Sequence, residues 1–129
     1  MKYMLLIYSN PATWAHPMFL HQDEELTERD RASRLAAFEA LLEDIHSSGE
    51  LIDSAALADP STSRIVRLKD GVEEATDGPF AEAKEQLAGY FVIDCENVER
   101  ATEVAARFPD AKFAGVEVRP IMEPCGMEM

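Results

Sequence analysis

Apolar side chains recur along this chain in two rhythms, and the places where the rhythm changes mark the elements. Met4-Leu5-Leu6-Ile7-Tyr8 is apolar at every position and is cut off by Ser9-Asn10-Pro11, which predicts a buried strand over residues 2–8. Farther on, Leu35, Phe38, Leu42 and Ile45 follow at three- and four-residue spacing, with Leu41 widening the stripe. Arg31, Arg34, Glu39 and Glu43 fall mostly elsewhere, so this stretch predicts a long amphipathic helix with its stripe against a core. Asp23 or Thr27 can cap its start, the acidic group Asp23, Glu24, Glu25 and Glu28 suits the positive helix end, and Gly49 after Ser47-Ser48 supplies a stop.

Leu51 to Leu57 then reads as a strand closed by the turn formers Asp59-Pro60-Ser61. Arg64 to Lys69 and Val72 to Thr76 flank Asp70-Gly71, a dipeptide suited to the positive φ values of a two-residue hairpin turn. Asp77-Gly78-Pro79-Phe80 turns the chain, Ala81 to Gln86 suits one helical turn, and Gly89 to Cys95 is a buried strand. Asn97 can cap a second helix whose Ala101, Val104, Ala105 and Phe108 form an apolar stripe ended by Pro109-Asp110, and Val116 to Met122 closes the series as a strand. With the hairpin set aside, the order is strand, helix, strand, strand, helix, strand. That is the split βαβ pattern of a ferredoxin-like α+β domain with an antiparallel sheet.

Two helices cover one face of such a sheet. The successive apolar positions at Met4 to Tyr8 and Phe91 to Ile93 supply two faces, and a second copy packed sheet to sheet is the simplest cover for the other. A homodimer is therefore expected.

Composition narrows the function classes. At 129 residues, 47% hydrophobic and 29% charged, the chain can build one core, predicting a single domain over 1–129 with a frayed end after about residue 123. Lys and Arg total 12 against 25 for Asp and Glu, and the net charge of −13 disfavours nucleic acid and anionic membranes as partners. The first apolar run is too short for a signal peptide or a span, so a cytoplasmic location is expected, with Cys95 and Cys125 as free thiols. No Cys-x-x-Cys pair occurs, and the acidic tail around Cys125 does not favour a reactive thiolate.

One segment carries a family likeness. Asp77-Gly78-Pro79-Phe80-Ala81-Glu82-Ala83-Lys84-Glu85-Gln86-Leu87-Ala88-Gly89-Tyr90 resembles the DGPFAETKEQLGGY signature of the DGPF group of YCII-related proteins, with Ala83 where Thr is usual and Ala88 where Gly is usual. Met1 to Tyr8 and Val116 to Glu123 resemble the same family, so the likeness spans the chain. It implies a ferredoxin-like fold that dimerises into an α/β barrel, but no agreed reaction. A related branch is thought to use a His and Asp pair near the first helix. Here Phe38 falls at the His position by spacing from Gly49, and Ser47 stands near the acidic one, so the pair does not transfer. Some members also occur beside extracytoplasmic-function sigma factors, a resemblance-level pointer to regulation.

The candidate catalytic residues are Glu82, Lys84 and Glu85, between two sheet elements. A carboxylate in an apolar cleft gains acid/base power, and a nearby Lys restrains it. Asp77, Tyr8, His16 and Tyr90 are the candidate ligand-binding residues, the tyrosines offering a phenol on strands. The plainer reading is a turn set by Asp77 and Pro79, Phe80 in the core, a solvated polar run, and core tyrosines, Tyr3 included. His16, His21, Asp23 and Glu24 match no metal-site spacing, no metal or cofactor is expected, and His46 reads as an edge residue of the first helix. Three functions fit: binding of a small organic metabolite in a cleft between sheet and helices, a cofactor-independent isomerase, lyase or hydrolase, or a non-enzymatic regulatory module.

Overall fold

The computed structural model describes residues 1–9, 28–78, 85–112 and 115–122. In chain order these form β1 (Lys2–Ser9), α1 (Glu28–Ser47), β2 (Leu51–Ala56), β3 (Arg64–Lys69), β4 (Val72–Asp77), β5 (Gln86–Asp94), α2 (Val98–Ala106) and β6 (Val116–Pro120). Four strands make one antiparallel sheet in the order β2-β5-β1-β6, and among the described residues β3 and β4 pair only with each other. The fold is the ferredoxin-like α+β arrangement with the hairpin inserted between the second and third core strands.

Each boundary has a local cause. α1 stops where the Gly49 N–H donates to the His46 carbonyl at 3.1 Å and the backbone turns to φ +80°. Asn97 caps α2, its side-chain oxygen accepting from the Arg100 N–H at 3.0 Å. In the β3–β4 turn Asp70 and Gly71 take φ of 53° and 77°, the left-handed pair that matches strand twist.

Three details differ from the sequence expectation. The α1 stripe is Phe38, Leu41 and Ile45, all fully or almost fully buried, whereas Leu35 is 38% exposed. At 3.6 residues per turn Leu35 lies about a quarter turn off the centre of that stripe, and half-buried Arg34 falls on it instead. Asp77 does not open a turn but ends β4 opposite Arg64. The next N–H, of Gly78, continues the ladder to the Ser63 carbonyl at 2.7 Å, and a Cβ at Gly78 would meet the Ser63 Cβ at 2.9 Å. β5 starts at Gln86 instead of Gly89, because an irregularity at Ile7/Tyr8 lets Tyr8 and Ser9 go on pairing with Leu87 and Gln86. Glu85 therefore sits in a bend before a strand, and the rest of the expected helical turn, residues 81–84, lies outside the described residues. So do the expected N-caps of α1 and the tail after 122 with Cys125.

Strand alternation sorts the sheet into two faces. Tyr3, Leu5 and Ile7 of β1 and Phe91 and Ile93 of β5 point to the helices. There they form one buried cluster with Phe38, Leu41 and Ile45 of α1 and Ala101, Val104, Ala105 and Phe108 on the α2 side. Phe38, Phe91 and Phe108 meet at its centre, with ring centroids 4.8 to 6.3 Å apart and tilted or edge-to-face geometry. Met4, Leu6, Tyr8, Tyr90 and Val92 alternate onto the opposite face, half-buried. Among the described residues no helix is long and apolar enough to cross a membrane.

Candidate functional site

β2 is an edge strand with one surplus residue. Leu51 pairs with Ile93 and Asp53 with Val92, which leaves Ile52 as a bulge. Leu51 and Ser54, three positions apart, would otherwise face opposite ways; the bulge puts both on the helix side, Ser54 opposite Phe91.

Across from them runs the outer flank of α1. Glu39, Glu43 and His46 are spaced by four and three residues, so they form one line beside the buried stripe. Between this line and β2 lies a cleft of about 420 Å³, lined by Phe38, Glu39, Leu42, Glu43, His46, Leu51, Ser54 and Phe91. Its size suits a small organic ligand. Phe38 and Phe91 are buried and form the inner wall, Leu42 and Leu51 are half-buried, and Glu39, Glu43, His46 and Ser54 are exposed at the mouth. The aromatic core thus backs the cleft from within.

The turn that joins its two walls is held from α2. Arg100 donates from Nε and Nη2 to the two carboxylate oxygens of Glu50, at 2.9 Å each, and Ser48 Oγ donates to Glu50 at 2.7 Å. These contacts hold the Glu50 carboxyl below its usual range, Arg100 being the main cause. On the same helix Asp44 is matched by Arg107 at 2.7 Å, whereas among the described residues no cation pairs with Glu39 or Glu43. Glu43 accepts a hydrogen bond from Ser47 Oγ at 3.0 Å.

Of the residues singled out from sequence, none of the described ones lines this cleft. Asp77 is exposed at the end of β4 and Glu85 is exposed before β5, while Glu82, Lys84 and His16 lie outside the described residues. Tyr8 and Tyr90 share the sheet face turned away from the helices. The Tyr8 hydroxyl donates to Glu117 Oε1 at 3.1 Å, and Glu117 in turn pairs with Arg119. Burial and that hydrogen bond push the Tyr8 phenol up. Tyr3 is buried on the helix side. Phe38 is core. Cys95 is a buried free thiol whose pKa burial pushes up, with Sγ donating to the Asn97 carbonyl at 3.4 Å. Among the described residues no three His, Cys, Asp or Glu side chains are grouped to hold a metal.

The sequence pattern sets Glu39 and Glu43 mostly off the apolar stripe and His46 at an edge, and it does not reach Ser54. The 39-43-46 spacing was a signal for the helix half of the cleft. The bulge that completes the other half left no mark in the pattern.

Comparison with known proteins adds a relative and a family. The chain is 36% identical over 76 residues to an uncharacterized protein of Rhizobium meliloti (strain 1021), a match covering 57% of this chain and 61% of that one. It thus spans about three fifths of that relative's length. The YCII-related domain matches residues 1–124, nearly the whole sequence. With the ferredoxin-like fold already in place, the chain belongs to the YCII-related family.

Proposed function

We propose that this protein binds a small organic molecule in the cleft between α1 and β2, within the DGPF group whose signature Asp77 to Tyr90 resembles. The observation that carries the reading is the meeting of opposite surfaces in one recess. Two buried phenylalanines and two leucines line a cavity of about 420 Å³, and a hydroxyl, an imidazole and two carboxylates stand at its mouth. An apolar wall with a few convergent polar groups is the usual make-up of a small-molecule site.

A thermal-shift screen of the full chain against a metabolite library tests it, because a ligand bound only to the folded state raises the melting temperature. Ser54→Trp fills the mouth from an exposed edge position and leaves the core intact. Hits that vanish in this variant support the cleft, and hits that persist in it sink the reading.

The protein is further proposed to act as a homodimer through the sheet face bearing Met4, Leu6, Tyr90 and Val92. This apolar row, half-buried within one chain, supports the pairing. Leu6→Asp is expected to convert a dimer into a monomer in sedimentation velocity. A wild-type chain that sediments as a monomer at micromolar concentration would remove the proposal.

A further inference from the structure

The cleft has a charge preference as well as a shape. Its mouth carries Glu39 and Glu43 one helical turn apart, and among the described residues neither has a cationic partner, although Asp44 next door is neutralised by Arg107. The carboxylates flank a low-dielectric wall, where a field is screened less than over open water. Behind the acids stand the buried rings of Phe38 and Phe91, an apolar back wall that excludes water. The Ser54 hydroxyl on the facing strand accepts a hydrogen bond from an N–H donor.

Building on the cleft-binding reading above, we infer that the ligand is an organic monocation, an ammonium or amidinium on an aromatic or branched aliphatic body. The apolar body lies along Phe38, Leu42, Leu51 and Phe91, and the charge sits between Glu39 and Glu43 near Ser54. An anion of the same shape meets two carboxylates and is rejected. A neutral isostere keeps the apolar contacts and loses the charge attraction.

Three probes of one shape separate these terms: 2-phenylethylammonium, 2-phenylethanol and phenylacetate, titrated into the isotope-labelled full chain with amide shifts followed by NMR. The ammonium is expected to bind about tenfold or more tighter than the alcohol, the margin of one well-placed charge interaction, with shifts at Phe38, Ser54 and Phe91, and phenylacetate to bind weakest. Glu39→Gln and Glu43→Gln, both at exposed positions, are each expected to weaken the ammonium several-fold and leave the alcohol unchanged. Added salt should likewise weaken the ammonium alone. If the alcohol or phenylacetate binds in the cleft as tightly as the ammonium, the charge inference is overturned and the cleft reading stands. If none of the three shifts the cleft amides, the charge inference is overturned, and the thermal-shift screen with Ser54→Trp decides the cleft reading separately.

Discussion

Arg100 on α2 grips Glu50, the residue between α1 and β2, with both carboxylate oxygens engaged at 2.9 Å. A planar fork on a planar carboxylate is the strong form of ion pair, and here Glu50 is only 14% exposed. The contact fastens the second helix to the turn that sets the spacing of the cleft walls.

Removing that grip has a defined pH signature. The Glu50 carboxyl is held below its ordinary value of 4.5, so the folded state binds its proton less readily than the unfolded state does. Its stabilising contribution is full above that value and is lost as pH falls through the lower folded-state pKa. Arg100→Ala is expected to cost about 1–2 kcal/mol at neutral pH and to flatten the acid limb of the stability curve, read from urea midpoints across the acid range. An unchanged acid limb in the variant would show that Glu50 is held by something else.

The aromatic triangle predicts a second effect that joins stability to the cleft. Phe91→Ala removes a buried ring that touches Phe108 at 4.8 Å and also forms the cleft wall. It is expected to destabilise the fold by about 3–5 kcal/mol in urea unfolding, with Phe91→Leu costing less than half of that. A loss under about 1 kcal/mol for the alanine variant would contradict the central place given to this ring.

The hairpin should open independently of the sheet. Among the described residues β3 and β4 pair only with each other, Val66, Leu68 and Val72 are exposed, and a two-stranded ribbon alone is marginal in water. Hydrogen exchange at β3 and β4 amides is expected to run orders of magnitude faster than at β1 and β5, which hold the core. Gly71→Ala, strained at φ 77° with nothing nearby to clash, should speed exchange in the hairpin alone and leave the global unfolding midpoint in place. A shared loss of protection across both sheets would mean that they unfold as one unit.

At the other face, Tyr8 gives an alkaline signature. Its phenol is pushed above 10.0 by burial and by the hydrogen bond to Glu117, so the protonated form is favoured in the folded state. That contribution is present below pH 10 and is lost as pH rises through the higher folded value. Ultraviolet titration of the tyrosines should lose one late component in Tyr8→Phe, and the variant should be about 1 kcal/mol less stable near neutral pH. Tyr3, raised by its own burial, keeps a late component in the variant; a late amplitude undiminished by the substitution would contradict the shift at Tyr8.

How far the sequence could carry these arguments differs element by element. Runs such as Met4 to Tyr8 and turn signals such as Asp70-Gly71 and Asn97 act within a few residues, so the strands, the hairpin and the α2 cap were legible from the letters alone. The two-faced sheet was legible for the same reason, since alternation along β1 and β5 obliges half the apolar positions to face away from the helices. The cleft was not legible, because it depends on contacts between Phe38 and Phe91, 53 positions apart, and on a bulge that no periodicity marks. Leu35 failed as a core residue for a related reason. Spacing gives the stripe's period, while the partner surface decides its centre.

The bulge at Ile52 makes the cleft's chemistry a matter of register. If β2 slipped by one residue into an unbulged ladder, Asp53 and not Ser54 would stand opposite Phe91, and a hydroxyl in the wall would become a third carboxylate. No substitution in either helix and no repacking of the core would be needed, since β2 lies at the sheet's edge and pairs only with β5. Sequence drift can therefore change which groups line the recess by gaining or losing a single residue in one short strand. In YCII-related chains of otherwise similar sequence, a length change in this strand would then be the first place to look for a changed cleft wall.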